Sequence, residues 1–167
     1  MKINSKALLI IGAIALSACS NTDRFGGLGG NAAGGANGAG DASDPTSMAY
    51  FQQTIGDRVL FSVDQHTLTP EATVLLDQQA SWLMANVEFT AVIEGHADEQ
   101  GTSAYNLALS GRRANSVIEY LVSRGVSSAR LQPLPLGKER PIAICSEESC
   151  YNQNRRAVSV VAAGGLS

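Results

Sequence analysis

The sequence predicts an α/β sandwich of the α+β type, in which one mixed sheet carries its helices on one face. Three observations support this prediction. Four short segments have the apolar pattern of strands, two longer segments between them have helical spacing, and glycines are concentrated ahead of all of these,. The expected order along the chain is strand, helix, strand, helix, strand, strand,.

The first half of the predicted domain contains a short helix, a strand and a longer helix. A helical turn is expected over residues 48–51, followed by a strand over 58–63 that places Val59, Phe61 and Val63 on one face,. Thr69 and Pro70 are typical of a helix start. Apolar residues then recur at three- and four-residue spacing and predict one buried stripe, formed by Ala72, Leu75, Leu76, Ala80, Leu83 and Met84 and extended by Trp82 and Val87,.

The second half supplies the other three strands and the second helix. A strand is predicted over residues 89–95 and a helix over 103–124, which Gly125 would end in the left-handed conformation,. A third strand over 127–136 contains two prolines, which indicate an edge or a bend. The last strand is predicted over 156–162, and residues 137–154 are left without an element.

The N-terminus has the pattern of an export signal. Two lysines precede an apolar stretch at residues 7–16, which is too short to span a membrane,. The stretch ends in Leu16-Ser17-Ala18-Cys19, which resembles the lipobox of bacterial lipoproteins. Residues 1–18 are therefore expected to be removed and Cys19 to be lipidated. The alternative is an ordinary secretory signal in which Cys19 is incidental.

Residues 19–45 are predicted to be a flexible tether between this lipid and a domain over 46–167. Glycine, alanine, asparagine and serine dominate the segment, which lacks the apolar surface needed to fold,. Ser20 and Asn21 follow the cysteine, with no aspartate directly after it to indicate retention in the inner membrane, so the inner leaflet of the outer membrane is favoured. The net charge of −3 argues against nucleic acid as a partner,.

A carboxylate and a guanidinium are the main candidates for a binding site. Asp98 follows the second predicted strand, and Arg113 lies on the helix that comes next. Together they could hold a ligand that carries an ammonium and a carboxylate. The alternative is that the two residues form an internal salt bridge or remain separate solvated charges.

His96 stands between Glu94 and Asp98, which raises the question of a metal or catalytic site. No second histidine is close in sequence, and the chain contains no zinc spacing, phosphate-binding glycine loop or nucleophile elbow. A histidine that holds the loop by hydrogen bonds is therefore the favoured interpretation, and neither a metal nor a cofactor is expected.

Cys145 and Cys150 are expected to form a disulfide, because exported proteins meet an oxidising compartment,. A metal site is the alternative, but two cysteines without a nearby histidine offer too few ligands.

Several motifs together resemble the outer-membrane-protein-A-like peptidoglycan-binding family. They are Glu94-Gly95-His96-Ala97-Asp98, Gly101, Asn106, Leu109-Ser110, Arg113-Ala114-Asn115-Ser116-Val117, Gly137, Pro141 and Asn154-Arg155-Arg156. The similarity extends over about residues 59–161. It implies a lipoprotein without enzymatic activity that binds the diaminopimelate branch of peptidoglycan and links the outer membrane to the cell wall.

The resemblance also implies a role for each site residue. Asp98 would bind the ammonium and Arg113 the carboxylate, Asn106 would brace the loop or touch the peptide, and Arg155 would form a wall of the site. Glu94, His96 and Gly101 would support the loop. The resemblance further implies a part in the Tol system, envelope integrity and cell division, with a TolB-like propeller protein that competes for the same surface.

Two other functions stay open. The first is a periplasmic cell-wall hydrolase in which Asp98, Glu94 or His96 acts as acid or base. The second is a structural lipoprotein that contacts only proteins.

Overall fold

The computed structural model describes residues 40–164. The predicted signal peptide, Cys19 and most of the predicted tether lie outside the described residues. The strands are β1 (Arg58–Leu60), β2 (Phe89–Gly95), β3 (Leu131–Pro135) and β4 (Arg156–Ala163). The α-helices are α1 (Met48–Tyr50), α2 (Pro70–Ala85), α3 (Ser103–Ser123) and α4 (Glu148–Asn154). A π-helical turn covers Phe51–Gly56, and a 3₁₀ turn covers Ser128–Arg130.

The four strands form one mixed sheet in the order β1-β4-β2-β3. The β2 strand runs parallel to β3 and antiparallel to β4, and β4 runs antiparallel to β1. The proline-containing β3 lies at an edge, where a missing backbone donor costs no ladder hydrogen bond. The predicted fold class and the edge position of this strand are confirmed.

The helices cover the face of the sheet that carries the small and branched apolar residues. Ala91 and Ile93 of β2 are fully buried on this face, whereas Val160 of β4 is 40% exposed on the other. The α3 helix contacts β2, β3 and β4, and α2 packs on α3. Within residues 40–164, none of the helices combines the length and the apolar character needed to cross a bilayer.

The α2 helix begins as the sequence predicts, but its buried stripe differs near the end. The Thr69 hydroxyl accepts a hydrogen bond from the Ala72 amide at 3.2 Å, which caps the helix,. Trp82 takes the buried position, with its ring 4.9 Å from those of Phe51 and Phe89. Met84 and Val87 are 45% and 70% exposed, so their predicted burial is wrong. The large indole fills the space at this end together with Leu83, which is fully buried, whereas Met84 and Val87 face outward.

The first strand is shorter than predicted, and Val63 is half exposed. The chain leaves the sheet because the Ser62 and Gln65 carbonyl oxygens accept hydrogen bonds from the Arg113 side chain. Asp64 adopts φ 55°, a left-handed conformation that turns the chain there,.

The sequence interpretation missed α4 and started the third strand too early. Residues 128–130 form a 3₁₀ turn before the strand, and α4 lies in a segment for which no element was predicted. Cys145 forms a disulfide with Cys150, which joins the preceding loop to this helix. A seven-residue helix has too few apolar positions to produce a recognisable period.

The end of the predicted tether contacts the domain. The Trp82 indole donates a hydrogen bond to the Pro45 carbonyl at 2.7 Å, and the Thr54 hydroxyl donates one to the Ala42 carbonyl at 3.3 Å. The tether and its boundary with the domain stay a prediction.

Candidate functional site

A close approach between β2 and α3 brings the candidate residues together. A Cβ atom at Gly95 would lie 1.9 Å from the Ser110 carbonyl oxygen, so only glycine allows this separation,. The loop after β2 therefore runs directly against α3. The Gly137 amide donates a hydrogen bond to the Ser110 hydroxyl at 2.9 Å, which brings the loop after β3 to the same place.

Asp98 lies in the loop after β2 and is almost fully covered, with 8% of its surface exposed. Its Oδ2 atom accepts a hydrogen bond from Arg155 Nη1 at 3.0 Å, and its Oδ1 atom accepts one from the Gln100 amide at 3.2 Å. Both oxygens therefore have donors that fix the orientation of the carboxylate. Among residues 40–164 the ionic partner of Asp98 is Arg155, so the predicted alternative of an Asp98–Arg113 salt bridge is wrong.

The Arg113 side chain is fully buried in a cage of backbone carbonyls. It donates hydrogen bonds to the oxygens of Gln65 and His96 at 2.8 Å and of Ser62 at 3.1 Å. The Phe61 ring lies 5.2 Å from its guanidinium carbon,. Burial lowers the pKa of Arg113 to about 10, although the charge of Asp98 partly opposes this shift. Arg113 thus remains charged at neutral pH and connects three segments of backbone.

Arg155, which lies between α4 and β4, is 2% exposed and joins Asp98 to α4. Its Nη2 atom donates to the Glu148 carboxylate and to the Asn152 side chain, and its Nε donates to the Phe61 carbonyl at 3.3 Å. Burial alone would lower the pKa of Arg155, but the hydrogen bonds to Glu148 and Asp98 outweigh it and raise the pKa. The sequence interpretation missed Glu148 and Asn152, because no local pattern links them to Asp98.

Asn106 braces the loop that carries Asp98. The Asn106 side chain donates hydrogen bonds to the carbonyls of Asp98 at 3.1 Å and of Gln100 at 2.8 Å. Gly101 adopts φ 87°, which favours glycine, and its carbonyl accepts a hydrogen bond from Lys138 at 2.9 Å,. Of the two roles expected for Asn106, the geometry accounts for bracing.

The His96 ring is 1% exposed, and neither of its nitrogens has a hydrogen-bond partner among residues 40–164. Its Nε2 atom lies 3.4 Å from the Glu94 carboxylate, without the geometry of a hydrogen bond. Burial and the nearby charges of Arg156 and Arg140 lower the pKa of His96 to about 4, so the ring is neutral,. The expectation that its side chain holds the loop is wrong, since the His96 backbone carbonyl makes that contact.

A small cleft opens beside Asp98. Its volume is ≈ 240 Å³, and it is lined by Val63, Asp64, Asp98, Gln100, Gly101 and Tyr105. The Tyr105 hydroxyl donates a hydrogen bond to Asp64 Oδ1 at 3.4 Å. Two carboxylates thus line one cleft, which is an arrangement that suits a cationic group. The sequence interpretation did not identify Tyr105 or Asp64 as site residues.

Larger grooves of ≈ 470 and ≈ 460 Å³ lie elsewhere, the first beside Trp82 and the second between β1 and α2. Neither is lined by Asp98 or Arg113. A charged ligand gains more from the fixed carboxylates of the smaller cleft than from the size of the other two.

Comparison with known proteins agrees with this fold. Residues 60–156 match the model of the OmpA family. The chain belongs to the OmpA family.

Individual relatives within that family are similar to nearly the whole of this chain. The chain is 42% identical over 162 residues to the peptidoglycan-associated lipoprotein of Rhizobium meliloti. The aligned region covers 97% of this chain and 90% of the relative. It is also 42% identical over 165 residues to the protein of that name from Mesorhizobium japonicum, covering 97% of this chain and 94% of the relative. The resemblance recognised in the motifs is thereby confirmed.

Solved structures lead to the same conclusion about the fold. The crystal structure of the peptidoglycan-associated lipoprotein from Burkholderia pseudomallei aligns with a TM-score of 0.65 at 36% identity, covering 73% of this chain and 100% of that one. The C-terminal domain of Helicobacter pylori MotB aligns with a TM-score of 0.59 at 18% identity, covering 64% of this chain and 84% of that one. The second similarity concerns the fold alone.

Proposed function

We propose that the protein is an outer-membrane lipoprotein that binds the diaminopimelate branch of peptidoglycan and so links the outer membrane to the cell wall. The observation that carries this proposal is the Asp98 carboxylate, which is fixed by two hydrogen bonds beside a small cleft. The names of the relatives add support, because they describe proteins associated with peptidoglycan.

The end of the diaminopimelate branch carries an ammonium and a carboxylate on one carbon. Asp98 would accept hydrogen bonds from the ammonium, which fits a cleft with a second carboxylate at Asp64,. Arg113 would bind the carboxylate. Two of its five N–H groups are not used by the backbone carbonyls, and they could donate two parallel hydrogen bonds to the carboxylate oxygens,. Arg113 is fully covered here, so this contact requires the segment Ser62–Gln65 to move aside.

Asn106 and Arg155 have supporting parts in this proposal. Asn106 holds the backbone of the Asp98 loop, and Arg155 fixes the carboxylate from the side away from the ligand. Neither residue needs to contact the ligand directly. A binding site gains affinity when its groups are held in place before the ligand arrives.

The geometry favours binding over hydrolysis. A general acid or base must reach the scissile bond. His96 is buried, and Asp98 is engaged by Arg155, so neither is placed for proton transfer to a large polymer. We therefore propose that the protein has no enzymatic activity.

Lipidation of Cys19 would attach the domain to the outer membrane, on its periplasmic side. A part in the Tol–Pal system and in cell division belongs to the same proposal, with a TolB-like propeller protein that binds a surface overlapping the wall site. Wall and propeller protein would then compete. This predicts that the purified propeller protein releases the lipoprotein from wall fragments in a concentration-dependent way.

The experiment is co-sedimentation of residues 20–167 with purified wall of the diaminopimelate type. Free meso-diaminopimelate should release the protein from the pellet, and Nα-acetyl-lysine should not, because its remaining ammonium has no carboxylate on the same carbon. Pelleting that resists meso-diaminopimelate would overturn the proposed ligand. Soluble wall fragments appearing with time would favour the hydrolase instead.

A further inference from the structure

The α4 helix, which the Cys145–Cys150 disulfide joins to the preceding loop, is linked to Asp98 in the ligand cleft through Arg155. We propose that Glu148, held in place by the Cys145–Cys150 disulfide, is a positioning residue for Asp98, so that reduction of the disulfide weakens wall binding. This inference rests on the proposed function and concerns the regulation of the same site.

Two carboxylates share the Arg155 guanidinium. Its Nη1 atom donates to Asp98 at 3.0 Å, and its Nη2 atom donates to Glu148. The guanidinium is planar and rigid, so a partner on one side fixes the direction of the donors on the other. Glu148 therefore helps to set the direction from which Arg155 reaches Asp98, together with the Asn152 side chain on the same nitrogen and the Phe61 carbonyl on Nε.

Glu148 could not hold this position without support. Its side chain is 60% exposed, and exposed ion pairs are individually weak,. It belongs to a helix of seven residues, which is too short to be stable alone,. The side chain of Glu147, the residue before that helix, makes no capping hydrogen bond.

The disulfide supplies the missing constraint. Cys145 and Cys150 enclose residues 146–149, so Glu148 lies inside the closed loop, and the Cα atoms of the two cysteines are 5.8 Å apart. A short covalent loop leaves the first turn of α4 few alternative conformations. On the other side, the Asn154 side chain bonds to the backbone of Ile142 and Ala143, which holds the loop against the helix.

The charges also favour this role. Arg113 and Arg155 are both buried near Asp98, and the Asp98 carboxylate alone does not balance them. Glu148 adds a second negative charge to the group. Without it the cleft would be less attractive to an ammonium, and Arg155 would lose one of its two carboxylate partners.

Reduction is chemically accessible, since both cysteines are only partly buried. A dithiol reductant would attack one sulfur as a thiolate, break the S–S bond and form a mixed disulfide. Its second thiol would then displace the protein sulfur. The dithiol ends as a disulfide, and Cys145 and Cys150 end as two thiols with two electrons and two protons gained.

The test uses the full chain in mild detergent, with wall of the diaminopimelate type and co-sedimentation as the readout. The samples are the oxidised parent, the parent with dithiothreitol, the Cys145→Ser/Cys150→Ser variant and Glu148→Gln. Glu147→Gln is the matched control, because it removes the neighbouring charge without touching Arg155. Circular dichroism at the same temperature measures the folded fraction of each sample.

The last three samples should each bind about 3- to 10-fold more weakly than the oxidised parent while remaining folded, as expected for loss of one coupled contact. Glu147→Gln should bind like the parent, dithiothreitol should not affect the serine variant, and Glu148→Asp should regain part of the binding. Adding Glu148→Gln to the serine variant should cause little further loss.

Two results would overturn the inference in different ways. If the parent pellets equally in both redox states and Glu148→Gln matches it, the positioning role is wrong while the proposed function stands. If the oxidised parent does not pellet, the proposed function fails first and the inference with it.

Discussion

The two ends of β2 are held by different physical interactions. At the start of the strand, the centroid of the Trp82 ring lies 4.9 Å from that of Phe51 and 4.9 Å from that of Phe89. At its other end, Asp98 and Arg113 are buried with hydrogen-bond partners for their charged groups. The first end is stabilised by apolar contact and the second by directed hydrogen bonds.

This difference separates stability from function. Apolar contact stabilises roughly in proportion to buried area and requires little precision. Buried charge is costly unless every group has a partner, so it is retained where a fixed charge serves a purpose. The predictions below test whether the aromatic end serves stability alone and the polar end serves binding.

The largest effect is expected at the aromatic end. Trp82→Ala should lower the free energy of unfolding by about 3–5 kcal/mol, because it removes a buried ring and leaves a cavity. Urea denaturation of residues 20–167 measures this change. Wall binding per folded molecule should remain that of the parent, and a loss of binding in the folded fraction would contradict the separation of the two ends.

The second-largest effect is expected at Gly95, where the polar end of β2 contacts α3. Gly95→Ala should lower the free energy of unfolding by about 3 kcal/mol, because its Cβ would lie 1.9 Å from the Ser110 carbonyl,. Gly111→Ala is the control, since its Cβ would meet Pro135 at an ordinary 3.7 Å within a helix. The control should be stabilised by about 0.5–1 kcal/mol. Equal loss in both variants would show that the close approach is unimportant.

A third effect concerns pH. The unfolded chain takes up a proton on His96 near pH 6.5, whereas burial lowers its pKa in the folded protein to about 4. Stability should therefore be complete above pH 6.5 and fall by about 2–3 kcal/mol as the pH drops toward 4.

His96→Leu provides the comparison, because it cannot titrate. The difference in unfolding free energy between parent and variant should be constant above pH 7 and change only between about pH 6.5 and 4,. A difference that stays constant through this window would mean that His96 is not held neutral by burial.

The smallest effect is expected at Arg130, which lies at the aromatic end but acts through hydrogen bonds. Its side chain donates to the carbonyls of Leu83 in the last turn of α2, of Asn86 after that helix and of Phe89 at the start of β2. Arg130→Met should lower the free energy of unfolding by about 1–2 kcal/mol and leave wall binding unchanged. Thermal melting measures the change in stability. An unaltered stability would show that water replaces these hydrogen bonds without loss of free energy.

The elements that follow local rules could be predicted from the sequence. Thr69 and Pro70 start α2 as expected, and β2 has the predicted bounds. Strand β1 was predicted too long, because the carbonyls of Ser62 and Gln65, just after the strand, bond to Arg113, which lies about 50 residues further along the chain. Side-chain contacts at such separations leave no periodic signal.

The candidate site could be predicted in part. The motifs identified Asp98, Arg113, Asn106 and Arg155, which the fold brings into one region. They did not reveal that Arg155, rather than Arg113, is the ionic partner of Asp98. That pairing depends on α4, and the charge pattern of residues 145–154 gives no indication of it.

The most direct test of the account is calorimetric titration of a soluble diaminopimelate-containing wall peptide into the parent, Asp98→Asn and Trp82→Ala. The account predicts that Asp98→Asn weakens binding at least about tenfold, as for loss of a charge-assisted hydrogen bond, and that Trp82→Ala binds like the parent where it is folded. Equal affinity of Asp98→Asn and the parent would contradict it.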